Sequence, residues 1–200
     1  MSTVSIRARN LYKTFESNNK TVEVLKGIDL DIKKGDMLSI VGASGVGKST
    51  LLHILGAIER PTSGNVFYDT EDLFLMDDKK LAGFRNRTIG FIFQFHHLLP
   101  EFNALENTMM PALIRGIKKK DACIEAENIL HKVGLKDRIT HKPGELSGGE
   151  QQRVAIARAL ILKPELKITL VVVTHNNRLA DKMPRRVSLL DGMIVSDVSS

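Results

Sequence analysis

The stretch Gly42-Ala43-Ser44-Gly45-Val46-Gly47-Lys48-Ser49, followed by Thr50, fits G-x-x-x-x-G-K-[ST] in full and constrains the fold more than any other part of the chain. Ahead of it runs Met37-Leu38-Ser39-Ile40-Val41, short and mostly apolar, as a buried parallel strand would be. Behind it, Ser49 to Gly56 reads as a helix that ends at a glycine. A triphosphate is a dense negative charge, and a ring of backbone N–H groups at a helix N-terminus holds it without side chains in the way. Gly42, Gly45 and Gly47 let the backbone bend through conformations closed to other residues and come close to phosphate oxygens. Lys48 supplies a point charge for the β- and γ-phosphates, and Ser49 offers its hydroxyl to Mg2+. A nucleoside triphosphate with Mg2+ is therefore the expected ligand of residues 42–50.

Around this centre the N-terminal third reads as strands. Ile28, Leu30 and Ile32 alternate with Asp29, Asp31 and Lys33, a half-buried antiparallel pattern, and Lys34-Gly35-Asp36 turns the chain into the next strand. Pro61-Thr62-Ser63-Gly64 predicts a turn before Asn65 to Tyr68, and Thr88 to Phe93 predicts an apolar strand ending at Gln94. From Phe95 to Glu145 the pattern is helical, with Asn103 and Glu106 spaced as a capping box and a helix from Asp121 to Val133 closing on Gly134. Ser147 predicts the cap of a further helix whose Val154, Ala157, Leu160 and Ile161 face a core. Ile168 to Val173 predicts a strand leading to Thr174-His175, and Val187 to Val195 a hairpin around Asp191-Gly192.

Composition narrows the class. Two hundred residues suit one globular domain, no stretch approaches 18 apolar residues, and the start lacks the apolar core of a secretory signal, so a soluble cytosolic chain is expected. Cys123 is the one cysteine, which excludes an internal disulfide and reads as an inert thiol. The net charge of +6 suits anionic partners without choosing among them. His53, His96, His97, His131 and His141 show no metal-ligand spacing.

A second motif, Leu146-Ser147-Gly148-Gly149-Glu150-Gln151-Gln152-Arg153, opens its helix with a serine and two glycines and continues as Val154 to Leu160. Such a start alone is a common cap; the whole run closely resembles the signature of the nucleotide-binding subunits of ABC transporters. The resemblance spans nearly the whole chain and implies an α/β fold, a P-loop NTPase of the ABC ATPase type. That fold has a mixed sheet core, an N-terminal antiparallel β subdomain and an inserted helical subdomain. Residues 1–94 and 146–200 would form the core with the β subdomain, and 95–145 the helical subdomain. It also implies an ATPase that closes as a dimer with two ATP at the interface. Ser147, Gly148 and Gly149, with Glu150 beside them, would meet the nucleotide of the other copy. Phe15 matches the aromatic that stacks on adenine, with Tyr12 as competitor. Gln94 matches the glutamine that reaches magnesium and water, and His175 the switch histidine at the γ-phosphate. Lys48, Gln94 and His175 would thus be catalytic, and Ser49 and Gln94 would serve the metal.

Phe93 to Asn107 is similar to the lipoprotein-releasing branch of this family, where the surface after the Q-loop receives a coupling helix from a membrane subunit. Integral membrane permease subunits and a second copy are then the implied partners, at the cytoplasmic face of the bacterial inner membrane; no nucleic acid is expected. Siblings serving macrolide export or cell division share most of these motifs. A DNA-repair ATPase of the same superfamily would suit the basic charge but normally carries a long coiled-coil or zinc insertion, absent here.

One departure stands out. In the family the signature helix leads to an apolar strand ending Asp-Glu, the Walker B motif, then a D-loop and a helix, before the strand that carries the switch histidine. Here Lys163-Pro164-Glu165-Leu166 meets Lys167-Ile168-Thr169 directly, so about 30 residues, one strand and one crossover helix, are missing between Leu166 and Thr169. Without the aspartate magnesium loses an outer partner, and without the glutamate the attacking water loses its base, worth roughly 10²–10⁴ in rate. Three explanations stand open: the molecule carries a segment the written sequence omits, the segment is deleted, or Ile168 to Val173 slides into the vacant strand position. A simple hole in the sheet is not expected, since it would forfeit about five buried aliphatics, a sum comparable to the stability of a domain, and of the three explanations the first is preferred.

Overall fold

The computed structural model describes residues 4–17, 20–93, 96–162 and 168–199. They divide into two compact units, one formed by Met1–Leu81 with Glu165–Ser200 and the other by Ala82–Pro164.

The strands of the first unit are β1 (Val4–Ser17), β2 (Lys20–Lys33), β3 (Met37–Val41), β4 (Ser63–Tyr68), β5 (Glu71–Asp72), β6 (Leu170–Val173), β7 (Arg185–Leu190) and β8 (Met193–Ser199). They build two sheets, ordered β2-β1-β4-β5 and β6-β3-β7-β8. The first is antiparallel, and the alternation in β2 does what period-2 patterning requires: Ile28, Leu30 and Ile32 are buried. The second is mixed. β3 lies parallel to both β6 and β7, while β7 and β8 form an antiparallel hairpin. Asp191 and Gly192 both take positive φ, 48° and 79°, as a two-residue turn matched to strand twist demands. Leu38, Ile40 and Val41 of β3 are buried, so the strand before the glycine-rich loop is a central one. The helix α1 (Lys48–Leu55) follows that loop and buries Leu51, Ile54 and Leu55.

The division between the units falls within α2 (Asp78–Thr88). The second unit is helical, with α3 (Ala104–Ile114), α4 (Lys119–Lys132) and α5 (Gly148–Leu160). Its core joins Met109 and Ala112, Ala126 and Leu130, and Val154, Ala157 and Ile161. The expected capping box at Asn103 and Glu106 is present, and Gly134 follows α4 with φ 74°. The unit is wider than residues 95–145, because the apolar stripe of α5 packs against α3 and α4. Leu160, expected on that stripe, is half-buried.

Two sequence expectations are corrected. Thr88 to Phe93 is not a strand: Thr88 ends α2, and residues 89–93 are irregular. An extended segment needs a neighbour for its N–H and C=O groups. Among the described residues no strand pairs with this segment, and Gly90 lies against α5, where an added Cβ would fall 2.5 Å from the Ala159 carbonyl oxygen. The strand expected over Ile168 to Val173 is shortened to Leu170–Val173; it ends its sheet and is half-buried along its length. It pairs directly with β3, from Met37 with Leu170 to Ile40 with Val173.

Candidate functional site

The glycine-rich loop leaves the C-terminal end of β3 and enters α1. Gly42, Gly45 and Gly47 have φ of 150°, 79° and 98°, so the three glycines occupy backbone conformations that other residues avoid. Two of them also permit close packing. A Cβ on Gly42 would sit 2.4 Å from the Leu189 carbonyl oxygen, and one on Gly47 would sit 2.7 Å from that of Val24. At Gly45 there is open space.

The start of α1 is arranged for an anion. Gly47 is its N-cap and gives no side-chain hydrogen bond, and no acidic residue stands in the first turn. The amides of that turn therefore keep their donors for a ligand. The Lys48 ammonium folds back over the loop and donates to the carbonyl oxygens of Gly42 and Ala43, at 2.9 and 2.6 Å. Its charge is thus held against the loop at the start of α1. Ala43, Ser44, Gly45 and Ser49 are exposed, and Val46, Lys48 and Thr50 are half-buried.

Beside the loop, β6 delivers a second exposed segment. Because β6 and β3 are parallel neighbours, their C-terminal ends open on the same side, where open α/β sheets take ligands. Thr174 donates its N–H to the Ile40 carbonyl oxygen at 3.2 Å, and its Oγ1 accepts from the Asn176 N–H. His175, between them, is exposed. Phe15 lies on β1 and is 40% exposed, while Tyr12 is 39% exposed, so exposure does not separate the two aromatics. The Lys13 ammonium, paired with Glu59 at 2.9 Å, stands 4.8 Å from the Phe15 ring centroid. Gln94 lies outside the described residues, as does the stretch from residue 163 to 167.

In the helical unit, Ser147 caps α5 in a reciprocal box with Glu150. The Ser147 N–H and hydroxyl both donate to Glu150 Oε2 at 2.8 Å, and Arg138 Nε donates to Oε1 at 3.1 Å. The Ser147 N–H, then its hydroxyl, then Arg138 hold the Glu150 carboxyl down at about 2. Gly148 and Gly149 form the first turn. Sequence reading missed Arg138, whose partner is 12 residues away, and it missed Arg158, which donates to the carbonyl oxygens of His96 and His97 at 2.7 Å. No local pattern announces either contact. His96 and His97 take positive φ, so Arg158 secures an unusual backbone just after Gln94. Asn107, buried in α3, likewise holds the loop before it, bonding Leu99, Phe102 and Asn103.

Partial burial and then Glu127 push the Cys123 thiol up, which leaves it a poor nucleophile. Among the described residues no group of three or more His, Cys, Asp or Glu is placed to hold a metal, and no helix is long and apolar enough to cross a membrane. The exposed Ser49 hydroxyl, in the first turn of α1, is a hard oxygen of the kind Mg2+ takes. That suits an ion carried largely by nucleotide phosphates.

Comparison with known proteins agrees with this geometry. The family model described as ABC transporter matches residues 25–169. The lipoprotein-releasing system ATP-binding protein LolD of Syntrophus aciditrophicus (strain SB) is 52% identical, with 96% of this chain and 99% of the relative covered. LolD of Geobacter metallireducens is 51% identical over 96% of this chain and 98% of the relative. Among solved structures, the dimeric ABC transporter cassette MJ0796 superposes with a TM-score of 0.91 at 33% identity, covering 97% and 98% of the two chains. The same cassette in a post-hydrolysis state bound to ADP and Pi gives 0.90 at 32% identity over 97% of this chain and 98% of the other. The Syntrophus alignment is 220 positions long yet uses 96% of 200 residues, so roughly 28 of its positions have no residue here.

Proposed function

This chain belongs to the ABC transporter ATP-binding family, and from that premise we propose that it is the ATP-binding subunit of a transporter that releases lipoproteins from the inner membrane. The observation that carries the reading is the uncapped start of α1 beneath the Lys48 ammonium, joined to near full-length similarity to LolD proteins.

The amides of residues 43–50 bind the phosphates of ATP, and Lys48 exchanges its two loop carbonyls for phosphate oxygens. Phe15 stacks on adenine, its ring already bearing the Lys13 cation on one side. Ser49, with Gln94, holds Mg2+, which when bound neutralises charge on the β- and γ-phosphates. His175, at the end of β6, faces the γ-phosphate and senses whether it is there. A second copy closes the site: Ser147 to Glu150 of each protomer meets the nucleotide of the other. Integral membrane subunits receive the resulting movement through the segment after Gln94, and the chain sits peripherally on the cytoplasmic face of that membrane.

ATP hydrolysis is the family's chemistry. In this polypeptide the acidic pair that would assist it is missing, and a second reading follows from that: a subunit that binds ATP and dimerises with little turnover. Purification from membranes in complex with lipoprotein-releasing permease subunits tests the assignment. Capture instead by macrolide-export or cell-division subunits would move the chain to a sibling system.

A further inference from the structure

The starts of α1 and α5 differ in charge. α1 has no acid in its first turn, whereas α5 carries Glu150 there. A carboxylate at a helix N-terminus favours the helix, yet it repels a phosphate that approaches the same amides. The N–H groups of Gly148 and Gly149 have no acceptor among the described residues, so they are available to a phosphate. The Glu150 carboxylate is the obstacle. It also draws the Ser147 hydroxyl proton to itself, at 2.8 Å.

Protonation does not remove that obstacle, because the carboxyl is held down at about 2 and stays ionised wherever a cell operates. A cation must balance it. The Arg138 guanidinium, on the short turn Lys136–Arg138, lies 3.1 Å from Glu150 Oε1 and pairs with the oxygen that Ser147 does not use. Its Nη1 also stands 3.4 Å from the His141 ring Nε2, which keeps the guanidinium against the same short stretch of chain.

We propose that Arg138 is a positioning residue for the nucleotide-bound dimer: it cancels the charge of Glu150 and pins that carboxylate, so that the Ser147 turn accepts the terminal phosphate of ATP held by a second copy. This rests on the reading that residues 147–150 act on the partner's nucleotide. Arg138 touches neither the phosphate nor the reacting atoms; it acts through Glu150. Two such turns close on two nucleotides in each dimer, so the loss of Arg138 counts twice.

The test is ATP-driven dimerisation of the full chain with saturating Mg-ATP, followed by sedimentation velocity, with nucleotide affinity of the dilute monomer measured alongside. Arg138→Ala raises the protein concentration for half-dimerisation by about tenfold, the scale of one removed charge at each of two helix starts, and leaves monomer affinity unchanged. Arg138→Lys recovers most of the loss. Adding Glu150→Gln to Arg138→Ala restores dimerisation, because an amide oxygen keeps the Ser147 cap without the charge; a merely structural Arg138 would not be rescued this way. Wild-type dimerisation in Arg138→Ala, or no rescue in the double variant, overturns the proposal. Ser147→Arg separates the two levels. If it leaves the ATP-driven dimer intact, the action of this turn on the partner's nucleotide is wrong; if it abolishes the dimer while Arg138→Ala is silent, only the role of Arg138 falls.

Discussion

The Lys48 ammonium lies 2.6 Å from the carbonyl oxygen of Ala43, inside the loop that Ala43 helps to form. The cation is held in place by the loop itself, and in the proposed reading phosphate oxygens replace the loop carbonyls that hold it. Preorganisation of this kind lowers the cost of ordering a long side chain on binding.

The loop glycines are unequal, and substitution should show it. Gly47→Ala meets both a left-handed φ of 98° and a backbone oxygen at 2.7 Å, so it costs about 3 kcal/mol or more in stability. Gly45→Ala meets open space at φ 79° and costs about 1 kcal/mol, from backbone conformation alone. Chemical denaturation midpoints of the two variants check the order.

Arg158→Ala removes two hydrogen bonds of 2.7 Å to His96 and His97, from a guanidinium whose own pKa burial already lowers. A loss of about 2 kcal/mol is expected, with faster amide exchange in residues 96–99. Hydrogen exchange read by mass spectrometry locates the effect; uniform exchange across the helical unit would contradict it.

Acid should loosen the C-terminal hairpin through Asp197. Arg185 grips both its carboxylate oxygens, at 2.8 and 2.6 Å, and that hydrogen-bonded pair holds the carboxyl below its ordinary value. A depressed folded pKa means the contribution is complete above the unfolded value, near 3.9, and is lost as pH falls through the folded one. Melting temperature measured from pH 6 to pH 2 should fall less steeply at the acid end in Asp197→Asn than in the wild type.

Phosphate release should be slow. A polypeptide with the sequence as written, lacking the acidic pair, is expected to turn over ATP roughly 10²–10⁴-fold more slowly than a relative that has it. Steady-state phosphate assays beside such a relative decide this, and an equal rate would refute the role given to the missing segment.

Features written in local spacing were legible in the sequence. The positive φ of Gly42, Gly45 and Gly47, the burial of Ile28, Leu30 and Ile32, the Asn103 box and the Asp191-Gly192 turn each depend on residues close along the chain. Thr88 to Phe93 failed for the opposite reason: its apolar run suits a strand, but a strand exists only with a neighbour to bond, and periodicity says nothing of neighbours. Arg138 and Arg158 were invisible for the same cause. Their partners lie 12 and 61 to 62 residues away, and an arginine on a polar face looks the same whether or not a carbonyl waits for it.

Titration calorimetry of the purified chain with Mg-ATP, beside Lys48→Ala, tests the phosphate cradle most directly. Saturable binding in the wild type at micromolar to sub-millimolar ATP, weakened at least about tenfold in Lys48→Ala while the melting curve is unchanged, is the predicted result. No heat at millimolar Mg-ATP, or equal affinity in both proteins, would contradict it.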